Sequence, residues 1–104
     1  MGKYKLYITG PAENDLRDIV RYISSQLNAP VTALNMTRLI EDSITKLKTT
    51  PFICPLVRDD RLASMGYRLL RIKNYIAFYI VDEKETTVVV DRILYARRDW
   101  QRIL

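Results

Sequence analysis

Seven consecutive residues, Tyr75 to Val81, are apolar or aromatic without interruption. A run of that kind reads as a β-strand covered on both faces or nearly so. Its neighbours are strand-like too. Tyr67 to Lys73 precedes it across Asn74, a residue suited to a turn, and Thr86 to Tyr95 follows across the polar reversal Asp82-Glu83-Lys84-Glu85. Connections this short place the three strands in a mostly antiparallel sheet.

Upstream of the sheet the periodicity changes. Lys3, Lys5 and Tyr7 alternate with Tyr4, Leu6 and Ile8, the pattern of a half-buried strand that Thr9-Gly10-Pro11 brings to an end. From Pro11 to about Leu27 the residues Leu16, Ile19, Val20, Ile23 and Leu27 form one apolar helical stripe, with Glu13, Asp15, Arg17, Asp18 and Arg21 on the rest of the surface. Pro11 fits the first helical turn, and Glu13 complements the helix dipole. Asn28-Ala29-Pro30 breaks this helix. A second runs from Pro30 to about Lys48 on the stripe Ala33, Met36, Ile40, Ile44 and Leu47, with Leu39 alongside. So short a break predicts an antiparallel helical hairpin.

Pro51 and Pro55 bound an ordered, irregular loop that reaches Met65-Gly66, with a helical turn around Leu62. The resulting order is β-α-α-β-β-β, an α+β fold in which the helical hairpin packs on one face of the small sheet. For the other face the sequence offers no cover except the tail, so an open, arginine-bearing face is expected there.

A chain of 104 residues, 48% hydrophobic and 28% charged, makes one domain (1–104) able to bury a core without metal or disulfide support. Lysines interrupt the apolar positions of Met1 to Ile8, and no apolar run nears the roughly 20 residues of a membrane span, so a soluble cytoplasmic protein is expected. Cys54 is the only cysteine and there is no histidine. That excludes an internal disulfide, the usual Cys/His zinc clusters and every mechanism run by imidazole; no metal and no cofactor are expected. Cys54 itself, between Phe52, Ile53 and Pro55, reads as a half-buried filler, since the local sequence gives a thiolate no basic neighbour.

The net charge of +5 favours an acidic partner, nucleic acid or protein, and eight of the eleven arginines fall at or after Arg58. In the last strand Val88, Val90, Arg92 and Leu94 alternate with Val89, Asp91, Ile93 and Tyr95, placing Asp91 and Arg92 on opposite sides. Each then needs a partner from another strand, and an ion pair holding the sheet in register competes with a ligand contact. Arg68 and Arg71, three apart, also face opposite ways. Arg97, Arg98 and Arg102 surround Asp99 and Trp100 in the tail. Trp100 either stacks on a base or pins the tail to the sheet, and pinning is the commoner role of so large an apolar ring.

The element order, the helix opening TGPAENDLRDIVRYI, the strand pair GYRLLRIKNYIAFYIVDE and the ending VVVDRILYARRDW resemble the RelE/ParE superfamily of toxins from bacterial type II toxin–antitoxin modules. The resemblance spans nearly the whole chain, and the ending is its most specific part. It implies growth arrest, plasmid stabilisation as a module, and a cognate antitoxin partner that wraps an extended and helical, often acidic segment around the open sheet face and the hairpin.

The superfamily carries two activities on one fold. RelE-like members cleave messenger RNA in the ribosomal A site, and ParE-like members poison DNA gyrase; no membrane is involved in either. Cleavage needs a base, an acid and positive charge over the phosphorane. Against the resemblance, the catalytic candidates are Arg68, Arg98 with its best match to the family's basic tail residue, Tyr95 as acid or positioner, and Asp99 as base. The loop offers Arg58 and Arg61 where family nucleases use lysines, and the family's alternative Glu-His pair is impossible here. The long hairpin and the ILYARRDW ending are closer to the ParE side, where binding alone suffices, with Arg58, Arg71, Arg92, Arg97 and Trp100 as target-binding candidates. A member that has lost toxicity and only binds its antitoxin is the third reading.

Overall fold

Thr9 is where the first strand becomes the first helix, and it shows how this chain is tied together. In the computed structural model, which describes residues 3–104, β1 (Lys5–Ile8) ends at Thr9, whose hydroxyl accepts the Ala12 N–H at 3.2 Å and so caps α1 (Gly10–Arg21). The same hydroxyl donates to the Asp91 carbonyl at 2.8 Å, across 82 positions. One side chain therefore fixes both the helix start and its place on the last strand.

After α1 the chain makes a π-turn over Tyr22–Gln26, and Asn28 adopts the left-handed conformation (φ 49°) before α2 (Pro30–Thr45) begins. The α2 stripe falls as its spacing predicts: Ala33, Ile40, Ile44 and Leu47 are buried and Met36 and Leu39 pack partly against them. Leu27 departs from its expected place on the α1 stripe and is 55% exposed. The wider π-turn rotates it out of phase with Ile19 and Ile23. A 3₁₀ turn over Lys46–Lys48 then leads into the loop, which contains the short α3 (Asp60–Ser64) capped by Asp59, whose Oδ1 accepts the Leu62 N–H at 3.0 Å.

The strands β2 (Arg68–Ile72), β3 (Tyr75–Asp82) and β4 (Thr87–Tyr95) form the expected antiparallel meander, and the tail ends in α4 (Trp100–Ile103). The sheet order is β1-β4-β3-β2, with β1 parallel to β4. The helical hairpin covers one face, where Ile19, Ile23, Ile40 and Ile44 meet Tyr79, Val88, Val90 and Ile93.

Two expectations fail on the sheet itself. First, the register shifts between Phe78 and Tyr79, which pair with Arg92 and Val90 and leave Asp91 as an extra residue in a bulge. The strict alternation is lost there: Val88, Val90 and Ile93 share the helix-facing core, whereas Leu94 joins the other face.

Second, the face expected to be open is covered. Val57 and Leu62 from the loop, Tyr67, and Trp100, Ile103 and Leu104 from the tail close over Ile76, Phe78 and Leu94 as a second core. The uninterrupted apolar run of β3 is explained by these two cores, since Ala77 and Tyr79 enter one and Ile76 and Phe78 the other. The covering residues come from short segments with too few apolar positions to show a period. No helix among the described residues is long and apolar enough to cross a membrane.

Candidate functional site

Where α1 crosses β4 beyond the end of β1, the helix and the strand are joined by one carboxylate. Asp15 accepts from Arg92 Nε (2.7 Å) and Nη2 (2.8 Å) and from the Ile93 backbone N–H (3.0 Å). The pair is largely buried, with side chains 24% and 11% exposed for Arg92 and Asp15. The Asp15 contact raises the Arg92 pKa further above its ordinary value. Arg92 is thereby held by a helix rather than by a neighbouring strand. Asp15, read from periodicity as an ordinary surface carboxylate, is instead half-buried. Asp91 is held from the opposite side, accepting the Tyr67 hydroxyl at 2.6 Å.

The remaining candidates lie apart. Arg68 donates from Nη1 to the backbone carbonyl of half-buried Cys54 at 2.6 Å and sits 5.0 Å over the Phe52 ring. Tyr79, fully buried, donates to the Pro51 carbonyl at 2.9 Å close by, and burial pushes its phenol well up. Arg58 is exposed just ahead of α3. Trp100 packs its ring 5.1 Å from that of Phe78, which is the pinning role. Asp99 is exposed and pairs with Arg102 at 3.2 Å.

Tyr95 and Arg98 do come together, in a groove of about 610 Å³ between the end of α1 and the end of β4. The other lining residues include Tyr22, Leu27, Tyr75, Asn74 and Asp18, with buried Ile19 and Ile93 beneath. Tyr95 stands edge-on to Tyr75, ring centroids 5.9 Å apart, and burial together with Tyr22 and Tyr95 raises the Tyr75 phenol above its usual range. Arg71 and Arg97 are exposed at the same end of the sheet. Arg68 is not part of this groove: it pairs with Tyr79, whereas Tyr95 pairs with Tyr75, four positions along β3 and roughly 13 Å away at strand spacing.

Sequence reasoning missed Tyr22, Tyr75, Asn74 and Asp18 as groove residues. Tyr22 carried a signal, lying three residues from Ile19 on the stripe side of α1. The other three are brought in by the hairpin and helix placement. Among the described residues no group of three or more Cys, Asp or Glu is arranged to hold a metal.

Comparison with known proteins places this geometry. The chain is similar in structure to the chromosomal ParDE toxin–antitoxin system from P. aeruginosa, with a TM-score of 0.76 at 19% identity over 93% of this chain and 100% of that one. It also resembles a chain of the RelBE2 toxin–antitoxin complex from Mycobacterium tuberculosis (TM-score 0.62, 21% identity, 89% and 98% covered). The intact E. coli RelBE complex gives the same TM-score, 0.62, at 15% identity, with 91% and 99% covered. At these identities the likeness establishes a shared fold. No curated protein matches the sequence. The family described as the ParE toxin of the type II toxin-antitoxin system, parDE, matches residues 6–100, nearly the whole chain, and it is to this ParE toxin family that the protein belongs.

Proposed function

We propose that the protein is the toxin of a type II pair, that it arrests growth by binding DNA gyrase in the cytoplasm rather than by cutting messenger RNA on the ribosome, and that a cognate antitoxin neutralises it. The family match supports the toxin role. The observation that carries the choice of target is the dispersal of the groups a nuclease would need. Arg68 is held by the Cys54 carbonyl and the Phe52 ring, roughly 13 Å along β3 from the groove that Tyr95 and Arg98 share, and Asp99 lies exposed outside that groove's lining. A cleavage site must hold base, acid and phosphate-binding cation within hydrogen-bond reach of one substrate. Binding a target imposes no such demand.

The antitoxin reading is supported by the similar structures, which are of toxin–antitoxin systems, and by the +5 charge, which suits an acidic binding segment. Purified protein added to gyrase is expected to block supercoiling or trap cleaved DNA. In parallel, translating ribosomes carrying a message are mapped by primer extension. Cuts at A-site codons with unimpaired gyrase would overturn the proposal in favour of the RelE-like endonuclease, for which Tyr95 and Arg98 in one groove are the starting point.

A further inference from the structure

The end of the sheet that carries the β2–β3 hairpin also carries unbalanced positive charge. Arg71 Nε donates to the Lys73 carbonyl at 2.5 Å, drawing its guanidinium over the hairpin turn, where Lys73 takes the left-handed conformation (φ 52°). The Ala96 N–H donates to the Asn74 carbonyl at 2.8 Å, so the turn that bears Arg97 and Arg98 is stapled against that hairpin. All four cations are exposed, and among the described residues none of them forms an ion pair.

The Tyr-lined groove opens beside this rim. Tyr22 is 52% and Tyr95 41% exposed, so ring surface is available there, and about 610 Å³ lies within the range of small-ligand sites. A cationic rim next to an aromatic cleft suits a flexible polyanion whose units carry flat rings. An acidic peptide satisfies the rim but brings its carboxylates toward Asp18 on the groove wall. A nucleobase brings neutral N–H donors to that carboxylate instead. A duplex keeps its bases stacked and has none to place in the groove.

We propose that this end of the molecule binds single-stranded DNA, with phosphates on Arg71, Lys73, Arg97 and Arg98 and an unstacked base against the tyrosines of the groove. The choice of DNA over RNA rests on the gyrase reading, in which the cleaved intermediate, unlike the intact duplex, offers unpaired DNA ends.

The test is fluorescence anisotropy of a labelled thymidine oligodeoxynucleotide titrated with the full chain, beside a uridine oligoribonucleotide and a polyglutamate peptide. With four phosphate contacts, affinity should fall roughly 50-fold between about 50 and 200 mM salt. The double variant Arg97→Gln with Arg98→Gln should halve the logarithmic salt slope, and Tyr22→Ala should weaken binding about tenfold. Lys84→Gln, in the β3–β4 turn at the opposite end of the sheet, should leave binding unchanged. Thermal melts check that each variant is folded, and Arg71→Gln with Lys73→Gln on the other turn serves if the first pair is not.

No saturable binding at the lowest salt, tighter binding of the oligoribonucleotide, or equal binding of polyglutamate would overturn the proposal. Gyrase inhibition without oligonucleotide binding overturns this proposal alone. Selective DNA binding without any effect on gyrase supports the site and overturns the gyrase reading.

Discussion

Asp15 midway along α1 and Arg92 in the second half of β4 meet through two parallel hydrogen bonds of 2.7 and 2.8 Å, although 77 positions separate them. The carboxylate also takes the Ile93 N–H, which has no strand partner on that side because β1 has already ended. The pair thus substitutes for the missing rows of β1. It joins the helical layer to the sheet just where the Asp91 bulge would otherwise loosen it.

Asp15→Ala should therefore destabilise the fold by about 3 kcal/mol, because it strands a largely buried guanidinium and a backbone donor together. The double variant Asp15→Leu with Arg92→Met should cost clearly less than the two single changes added. Urea denaturation of the wild type, Asp15→Leu, Arg92→Met and the double variant measures the coupling, and simple additivity would show that the two side chains act independently.

Alkaline pH should reveal the Tyr67–Asp91 contact. Burial, and then the hydrogen bond to the Asp91 carboxylate, push the Tyr67 phenol up to about 12 from its ordinary 10.0. Because the folded state holds this proton more tightly, its contribution is complete below pH 10 and is lost as the pH climbs toward 12. The melting temperature should fall more steeply over that window in the wild type than in Tyr67→Phe. Parallel curves would remove the assignment.

Trp100→Ala should cost about 3 kcal/mol, since it uncovers Phe78 and opens the second core. Trp100→Phe, which keeps an aromatic plug, should retain most of that stability. If growth arrest follows melting temperature across the two variants, the ring acts by pinning the tail; arrest lost in a fully stable Trp100→Phe would instead make it a target contact.

Asp99→Asn and Tyr95→Phe should leave growth arrest nearly intact, because each removes a proton-transfer group while preserving shape. In a nuclease, loss of a general acid or base costs about 100- to 10,000-fold in rate. Counting viable cells after induction distinguishes these outcomes without purifying anything.

Gly66→Ala should destabilise by about 1 kcal/mol through the backbone alone, the cost of placing a Cβ in the left-handed region. Gly66 sits at φ 89° after α3, and an added Cβ would meet only Ile80 Cγ2 at an ordinary 3.6 Å. A thermal melt with no shift would show that the turn relaxes.

Much of the fold was readable where burial follows a period. The α2 stripe and the β1 alternation place their residues correctly because neighbours along one element all see the same layer. Leu27 and the Asp91–Leu94 segment were misplaced because one π-turn and one bulge each add a residue's worth of phase, and no local residue announces either. The second core was hidden for a different reason: Val57, Leu62, Trp100 and Ile103 are distant in the chain and meet only after folding. Tyr95 and Arg98, singled out on the resemblance of the tail, do share the groove. Asn74 and Asp18 were not singled out, since only the tertiary arrangement gives them a common space.

The parallel pairing of β1 with β4 sets an order of events for the folding chain. The three later strands meet through turns of a few residues, whereas Leu6 must find Val88 across nearly the whole sequence. Closing that long loop costs entropy that the local meander never incurs. β1, which precedes the other three strands in the chain, is thus the last of the four expected to dock.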